Sequence, residues 1–301
     1  VFKSLVTQPV AINAINKKNV KLSFINFYIQ MLYFIASPIG NLNDISLRSI
    51  DVLKKIDFIY AEDTRNTIKL LNFFEIKKAV SSLHEHNESQ VAPKILDLLK
   101  QNNDIAILSD AGMPAISDPG YHLITQCIKE NQKFTVLPGP SSVINALVLS
   151  GMPPSSFLFL GFIPRKKKQK VQFLNDISNE KHTLILFETV KRLPDTILIL
   201  DELYSSGICI SICREMTKLH EEVIRGNANE LLQMINNNKI TLKGEVVLVI
   251  DMKREDFSNI NIDSKVRSAF LEKLPPKDAA KLLSMVTGES KRDIYKSLMD
   301  L

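Results

Sequence analysis

IAILSDAGMPAISDPG, residues 105–120, decides the fold. Its first four residues are apolar without alternation and too few for a helix, so they read as a strand buried on both faces. The next twelve hold Asp110, Gly112, Pro114, Asp118, Pro119 and Gly120, which break regular structure and leave backbone groups available. Helical spacing resumes over 120–130. A buried strand emptying into a Gly/Pro loop ahead of a helix is the βα unit of a parallel sheet, and such sheets bind ligands at the carboxyl ends of their strands.

The same unit repeats outward in both directions. Apolar runs at 32–36, 56–60, 134–137, 157–160, 183–187, 208–213 and 245–250 read as further buried strands. Helical spacing fills 44–56, 66–74, 91–101, 141–150, 192–204 and 228–237. The alternation predicts an α/β fold with largely parallel sheets. GMPPSS at 151–156 punctuates the chain, giving an N-terminal α/β domain over 31–152 and a C-terminal α/β domain over 153–251. Beyond a polar stretch, 264–301 is wholly helical. Helices near 276–286 and 289–299, joined at Thr287 and Gly288, suggest a helix-turn-helix-like unit, or equally an α-hairpin.

The formal charge is +5, and GFIPRKKKQK at 161–170 alone carries as much: Arg165, Lys166, Lys167, Lys168 and Lys170 with no acid. Such a run suits phosphate, hence RNA, although charge runs are usually solvated faces. Cys127, Cys209 and Cys213 have no zinc-type spacing and read as reduced core thiols in a cytoplasmic protein. No metal centre is expected, and no Walker-type loop or G-x-G-x-x-G follows a strand. Residues 1–30 hold four lysines and no acid before the apolar run 22–36, a superficial likeness to a signal sequence. Asn26 and Gln30 interrupt that run and 32–36 is needed as a strand, so 1–30 is expected to be an extension outside the fold, with a functional start near Met31 and no membrane span.

Four loops follow strands of the first domain: SPIGN at 37–41, AEDTRNT at 61–67, the 109–120 loop, and PGPSS at 138–142. Taken singly, each has a plain structural explanation in turns, caps or a surface ion pair. Their placement after successive strands points to one shared cleft.

The strings LYFIASPIGNLNDIS, YAEDTRNTIKLL, SLHEHNE, LSDAGMPAISDPG, VLPGPSSVINALVLSG, GFIPRKK and CREMTKLHEE, in this order from Met31 to Val249, resemble the ribosomal RNA small-subunit methyltransferase I family, a branch of the tetrapyrrole-methylase superfamily. The tail resembles the small helical domain of many members. The resemblance implies two α/β domains with S-adenosyl-L-methionine in the cleft between them, a homodimer, and 2′-O-ribose methylation of a cytidine in the decoding region of 16S rRNA, as RNA or in the small ribosomal subunit. The cofactor contacts it implies are Pro38, Asp110, Ala111, Gly112, Met113, Ile116, Ser141 and Ser142, with Glu188 and Met216 from the second domain. SPIGN departs from the porphyrin branch, which argues against the competing reading, a tetrapyrrole methyltransferase. A non-catalytic RNA-binding factor on the same fold is the other alternative.

A ribose hydroxyl is a poor nucleophile, so a base or charged group near the cleft would help it. Among Glu62, Asp63, Arg65, His84 and Glu85, Asp63 is favoured as base or positioning acceptor, with His84 second. For His84 and His86 a satisfied surface turn is the competing explanation.

Overall fold

The computed structural model describes residues 31–204, 207–252, 264–287 and 290–299. The proposed extension 1–30 and the Gly288 turn of the tail lie outside them. The chain forms two compact units, one holding the residues up to Asn145 together with Met216–His220, the other Ala146–Glu215 and the chain from Glu221. The division falls inside a helix, ahead of the Gly/Pro stretch at 151–156, and a short segment from the second half belongs to the first unit.

The first unit runs β1 (Leu32–Ile35), α1 (Leu47–Lys55), β2 (Phe58–Ala61), α2 (Thr64–Phe73), β3 (Val80–Ser82), α3 (Glu88–Lys100), β4 (Ile105–Leu108), α4 (Tyr121–Lys129), β5 (Phe134–Leu137) and the start of α5 (Ser142–Ser150). Its sheet has the order β3-β2-β4-β1-β5 with every pairing parallel. Helices cover both faces, which is why β1 and β4 are continuously apolar. Leu32 and Phe34 pack with Leu83, Ile95 and Leu123 on one side. Tyr33 and Ile35 pack with Leu53, Leu71 and Leu108 on the other. Because β1 lies between β4 and β5, the loops leaving these three strands are brought side by side. Helix starts are set locally: the Ser46 side chain caps α1 and Asp63 caps α2.

The second unit runs from α5 through β6 (Phe157–Phe162), α6 (Lys167–Asp176), β7 (Thr183–Thr189), α7 (Leu193–Tyr204), β8 (Cys209–Arg214), β9 (Glu222–Gly226), α8 (Ala228–Asn236) and β10 (Glu245–Asp251). Its sheet, β6-β7-β10-β8-β9, is parallel only between β6 and β7. The three other pairings are antiparallel, so the expectation of largely parallel sheets holds for the first sheet and fails for this one. The reason is β9, an amphipathic strand absent from the apolar runs. It returns beside β8, with Ile212 opposite Ile224, and β10 then enters between β7 and β8.

Three helices follow: α9 (Ser264–Lys273), α10 (Pro276–Thr287) and α11 (Lys291–Met299). They have a small core of their own, in which Ala279, Ala280 and Leu283 of α10 meet Ile294 and Leu298 of α11. Cys127 and Cys213 are buried and all three thiols are free, with burial pushing Cys127 up to about 11. No helix among the described residues is long and apolar enough to cross a membrane.

Candidate active site

The carboxyl ends of the first sheet carry the candidate site. Ser37, two residues past β1, pairs with Gly112, four past β4: the Ser37 N–H donates to the Gly112 carbonyl at 2.8 Å and the Gly112 N–H to the Ser37 carbonyl at 2.9 Å. The Ser109 hydroxyl donates to the same Gly112 carbonyl at 3.0 Å. Gly112 holds this shape at φ +81, where a side chain is strained, and a Cβ there would point between Ile39 and the Pro140 carbonyl. The loops after β1, β4 and β5 therefore converge on one glycine. The loop after β4 continues through Ala115 and Ser117, both with positive φ, to Gly120. There the buried Glu88 accepts from the Gly120 and Leu123 N–H groups at 3.1 and 3.0 Å, capping α4 with a carboxylate from α3.

The expected cofactor residues of this unit lie in those loops. Pro38 and Met113 are half-buried, while Asp110, Ala111 and Ile116 are exposed. Ser141 caps α5 by accepting from the Ile144 N–H, and Ser142 opens that helix, half-exposed. Met216 is buried and belongs with this unit rather than the second. The segment it begins lies on the first loop, where Thr217 Oγ1 accepts from the Asn41 N–H at 3.0 Å and a Cβ on Gly40 would meet the Met216 carbonyl at 2.7 Å.

Asp63 is placed differently from its sequence reading. Its carboxylate accepts from the Arg65 backbone N–H at 2.8 Å and from the Arg65 guanidinium at 2.6 Å. Those bonds hold it down at about 2, so it is a helix cap and ion-pair partner with little basicity. Its neighbour Glu62 is among the sequence candidates but is not the one favoured. Burial, then the Asp110 charge, raises the Glu62 carboxyl above its ordinary value, and its Oε2 is buried without a partner among the described residues. Ser37 Oγ and His84 Nδ1 are orphaned in the same way. His84 starts the turn into α3, its N–H donating to Asn87 at 2.8 Å, with the His86 ring edge-on at 6.0 Å. Asp118, in the loop after β4, is pushed up to about 7 by burial and then by the Glu62 charge. The signal for Glu62 was its position directly after β2, where an acid cannot point into bulk water as freely as the helix-capping Asp63.

In the second unit Glu188, expected at the cofactor, is engaged by residues of its own unit. Its side chain is completely buried, with Oε1 accepting from the Thr189 N–H at 2.7 Å and Arg192 Nε at 2.6 Å, and Oε2 from the Thr196 hydroxyl at 2.7 Å. Lys170 joins this network, donating to Thr196 Oγ1 at 3.0 Å with its ammonium 3.7 Å from Glu188. At 4% exposure it cannot contact RNA, so the basic run ends earlier than read. Arg165, Lys166, Lys167 and Lys168 are exposed. Among the described residues no cluster of His, Cys, Asp or Glu could hold a metal ion.

The model of the tetrapyrrole (corrin/porphyrin) methylases matches residues 31–232. The ribosomal RNA small subunit methyltransferase I of Halalkalibacterium halodurans is 41% identical over 88% of this chain and 93% of that protein. The Escherichia coli O157:H7 protein of the same name is 37% identical over 89% of this chain and 94% of its own length. The chain belongs to the ribosomal RNA small subunit methyltransferase I family. The matched range contains every loop of the candidate site and stops inside α8, leaving β10 and the tail outside it. Among solved structures, diphthine synthase aligns with a TM-score of 0.58 at 14% identity, covering 73% of this chain and 90% of that one. Uroporphyrin-III-C-methyltransferase from Thermus thermophilus aligns at 0.51 and 16%, covering 74% and 94%. At such identities the likeness is one of fold, and the ribosomal RNA small subunit methyltransferase I family shares it with enzymes named for unrelated substrates.

Proposed function

We propose that this methyltransferase uses S-adenosyl-L-methionine to methylate the 2′-hydroxyl of a cytidine in the decoding region of 16S rRNA, as a cytoplasmic homodimer acting on the RNA or the small ribosomal subunit. The observation that carries the reading concerns the four orphaned buried side-chain atoms among the described residues. Three of the four, Ser37 Oγ, Glu62 Oε2 and His84 Nδ1, lie within two residues of the ends of β1, β2 and β3, the fourth being Arg192 Nη1 in the second unit. Buried polar atoms without partners are costly and mark places where a ligand completes the bonding. The residues fit the cofactor: the loops meeting at Gly112 bring backbone groups together, and Pro38, Asp110, Ala111, Met113, Ile116, Ser141, Ser142 and Met216 supply a mixed apolar and polar wall.

When bound, the cofactor supplies an electrophilic methyl group, so that positioning accounts for much of the acceleration. The chain's own residues then handle the acceptor. Glu62 takes the proton of the ribose hydroxyl on its free Oε2, its pKa raised by burial and by the Asp110 charge, with His84 near enough to act on its charge. Asp63 holds Arg65 and the start of α2 in place. Arg165, Lys166, Lys167 and Lys168 neutralise backbone phosphate.

The reading is tested in two halves. Calorimetric titration of S-adenosyl-L-methionine should show binding that Asp110→Ala weakens; a wild-type chain that does not bind it overturns the cofactor. Labelled methyl transfer should favour small subunits over uroporphyrinogen-type acceptors; the reverse preference restores the tetrapyrrole reading, and binding of RNA without transfer supports a non-catalytic factor.

A further inference from the structure

The tail contains a surface that neither the catalytic loops nor the basic run at 165–168 accounts for. Ile294 and Leu298 of α11 are buried against α10, which fixes the rotation of the helix. The face turned away is then determined by the helical repeat. Lys291, Tyr295 and Met299 form one row at i, i+4, i+8, and Arg292 and Lys296 form the next. All five are exposed, with Tyr295 at 39% and Met299 at 60%. Asp293, the acid of this helix, is exposed on the outward side beyond Lys296.

Two features set this face apart from an ordinary solvated one. Lys291 and Arg292 occupy the first turn, where the positive end of the helix macrodipole disfavours cations, with Asp293 the one acid beside them. An exposed aromatic ring and a thioether lie among three cations, against the one acid Asp293. Cations that neutralise phosphate, spaced around a ring on which a base can stack, are the recognition elements of single-stranded nucleic acid.

We propose that the outer face of α11 is an RNA-binding surface that engages a single-stranded segment of the substrate rRNA, with Tyr295 stacking on a base and Lys291, Arg292 and Lys296 on the flanking phosphates. This rests on the rRNA reading given above, with charge complementarity to an RNA partner as its argument. The surface serves capture of the substrate and leaves the methyl-transfer loops unaffected.

The experiment uses the full chain and compares wild type, the Lys291→Ala/Arg292→Ala/Lys296→Ala triple variant, Tyr295→Ala and Tyr295→Phe. Binding to a fluorescent single-stranded RNA and to small ribosomal subunits is measured across a salt series, with circular dichroism as the folding control. The triple variant should make the dependence of log Kd on log salt shallower by about 2, since each lost phosphate contact on a single strand removes about 0.7. Tyr295→Ala should weaken binding about 5-fold or more, and Tyr295→Phe should keep wild-type affinity because the ring is retained. In turnover the triple variant should raise KM for subunits with kcat and cofactor affinity unchanged.

Folded variants with wild-type affinity and salt slope overturn the proposal while leaving the methyltransferase reading intact. Variants that change sedimentation without changing RNA affinity assign the face to an interface between copies and equally overturn it. A wild-type chain that binds neither RNA nor subunits removes the rRNA reading itself.

Discussion

Ser37 and Gly112 exchange both backbone hydrogen bonds, at 2.8 and 2.9 Å, and so tie the loop after β1 to the loop after β4. A hydrogen-bonded pair outside the sheet fixes two loops that would otherwise move independently. Gly112 sits at φ +81, and the nearest neighbour of a Cβ placed there would be Ile39 at 3.8 Å, so Gly112→Ala meets backbone strain rather than a clash. The strain should cost roughly 1 kcal/mol. If the strain is relieved by a shift of the loop that holds the cofactor, affinity should fall about 5-fold, the equivalent of about 1 kcal/mol. Calorimetry on the folded variant checks it, and unchanged affinity places the cofactor elsewhere.

Lys170 and Lys167 are three residues apart and should behave as opposites. Lys170→Met leaves Glu188 with one cation fewer in a buried network and should destabilise by about 3 kcal/mol in urea unfolding. Lys167→Ala, at an exposed site, should stay within about 0.5 kcal/mol. Equal losses would mean that Lys170 is not the structural member of the run.

Asp118 gives the protein a dependence on pH. Burial and the charges of Glu62 and Asp110 push it up from 3.8 to about 7, so the fold favours the protonated acid. The contribution is fully present below the ordinary carboxylate value and is lost as pH rises through about 7. Wild-type Tm should therefore fall between about pH 4 and about pH 7, and Asp118→Asn should remove that part of the slope. Calorimetric scans across this window decide it; parallel curves for the two proteins contradict the placement of Asp118.

Much of this was legible in the sequence because the chemistry of the first unit is written in short range. The runs at 32–36 and 105–108 are apolar on both faces only because helices cover both sides of β1 and β4, and the Gly/Pro loops after them can only be loops. The second sheet was harder: an apolar run such as 208–213 does not record the direction of its neighbours, and β9 mixes Glu222 and Arg225 with Val223 and Ile224. Lysine-rich 167–170 hid the start of α6, and the burial of Lys170 depends on Thr196 and Glu188, both distant in sequence. Between adjacent acids, sequence cannot say which one caps a helix. Asp63 does, and that leaves Glu62 as the acid with a free oxygen.

That distinction has a kinetic consequence. Glu62→Gln keeps the shape and removes the proton acceptor, so kcat should drop about 100-fold or more with cofactor affinity retained. Asp63→Asn should act chiefly on stability through the cap of α2. Steady-state assays on both variants compare them, and a larger kcat loss at Asp63 would return the role to that residue.

The most direct test of the central claim is to locate the methyl group. Small ribosomal subunits lacking the modification are incubated with the chain and methyl-labelled S-adenosyl-L-methionine, the rRNA is digested with nuclease, and the labelled nucleotide is identified by mass spectrometry. The account predicts label on the ribose 2′-oxygen of one cytidine in the decoding region of 16S rRNA. Label on a base, on a porphyrin precursor alone, or on no acceptor at all would contradict it.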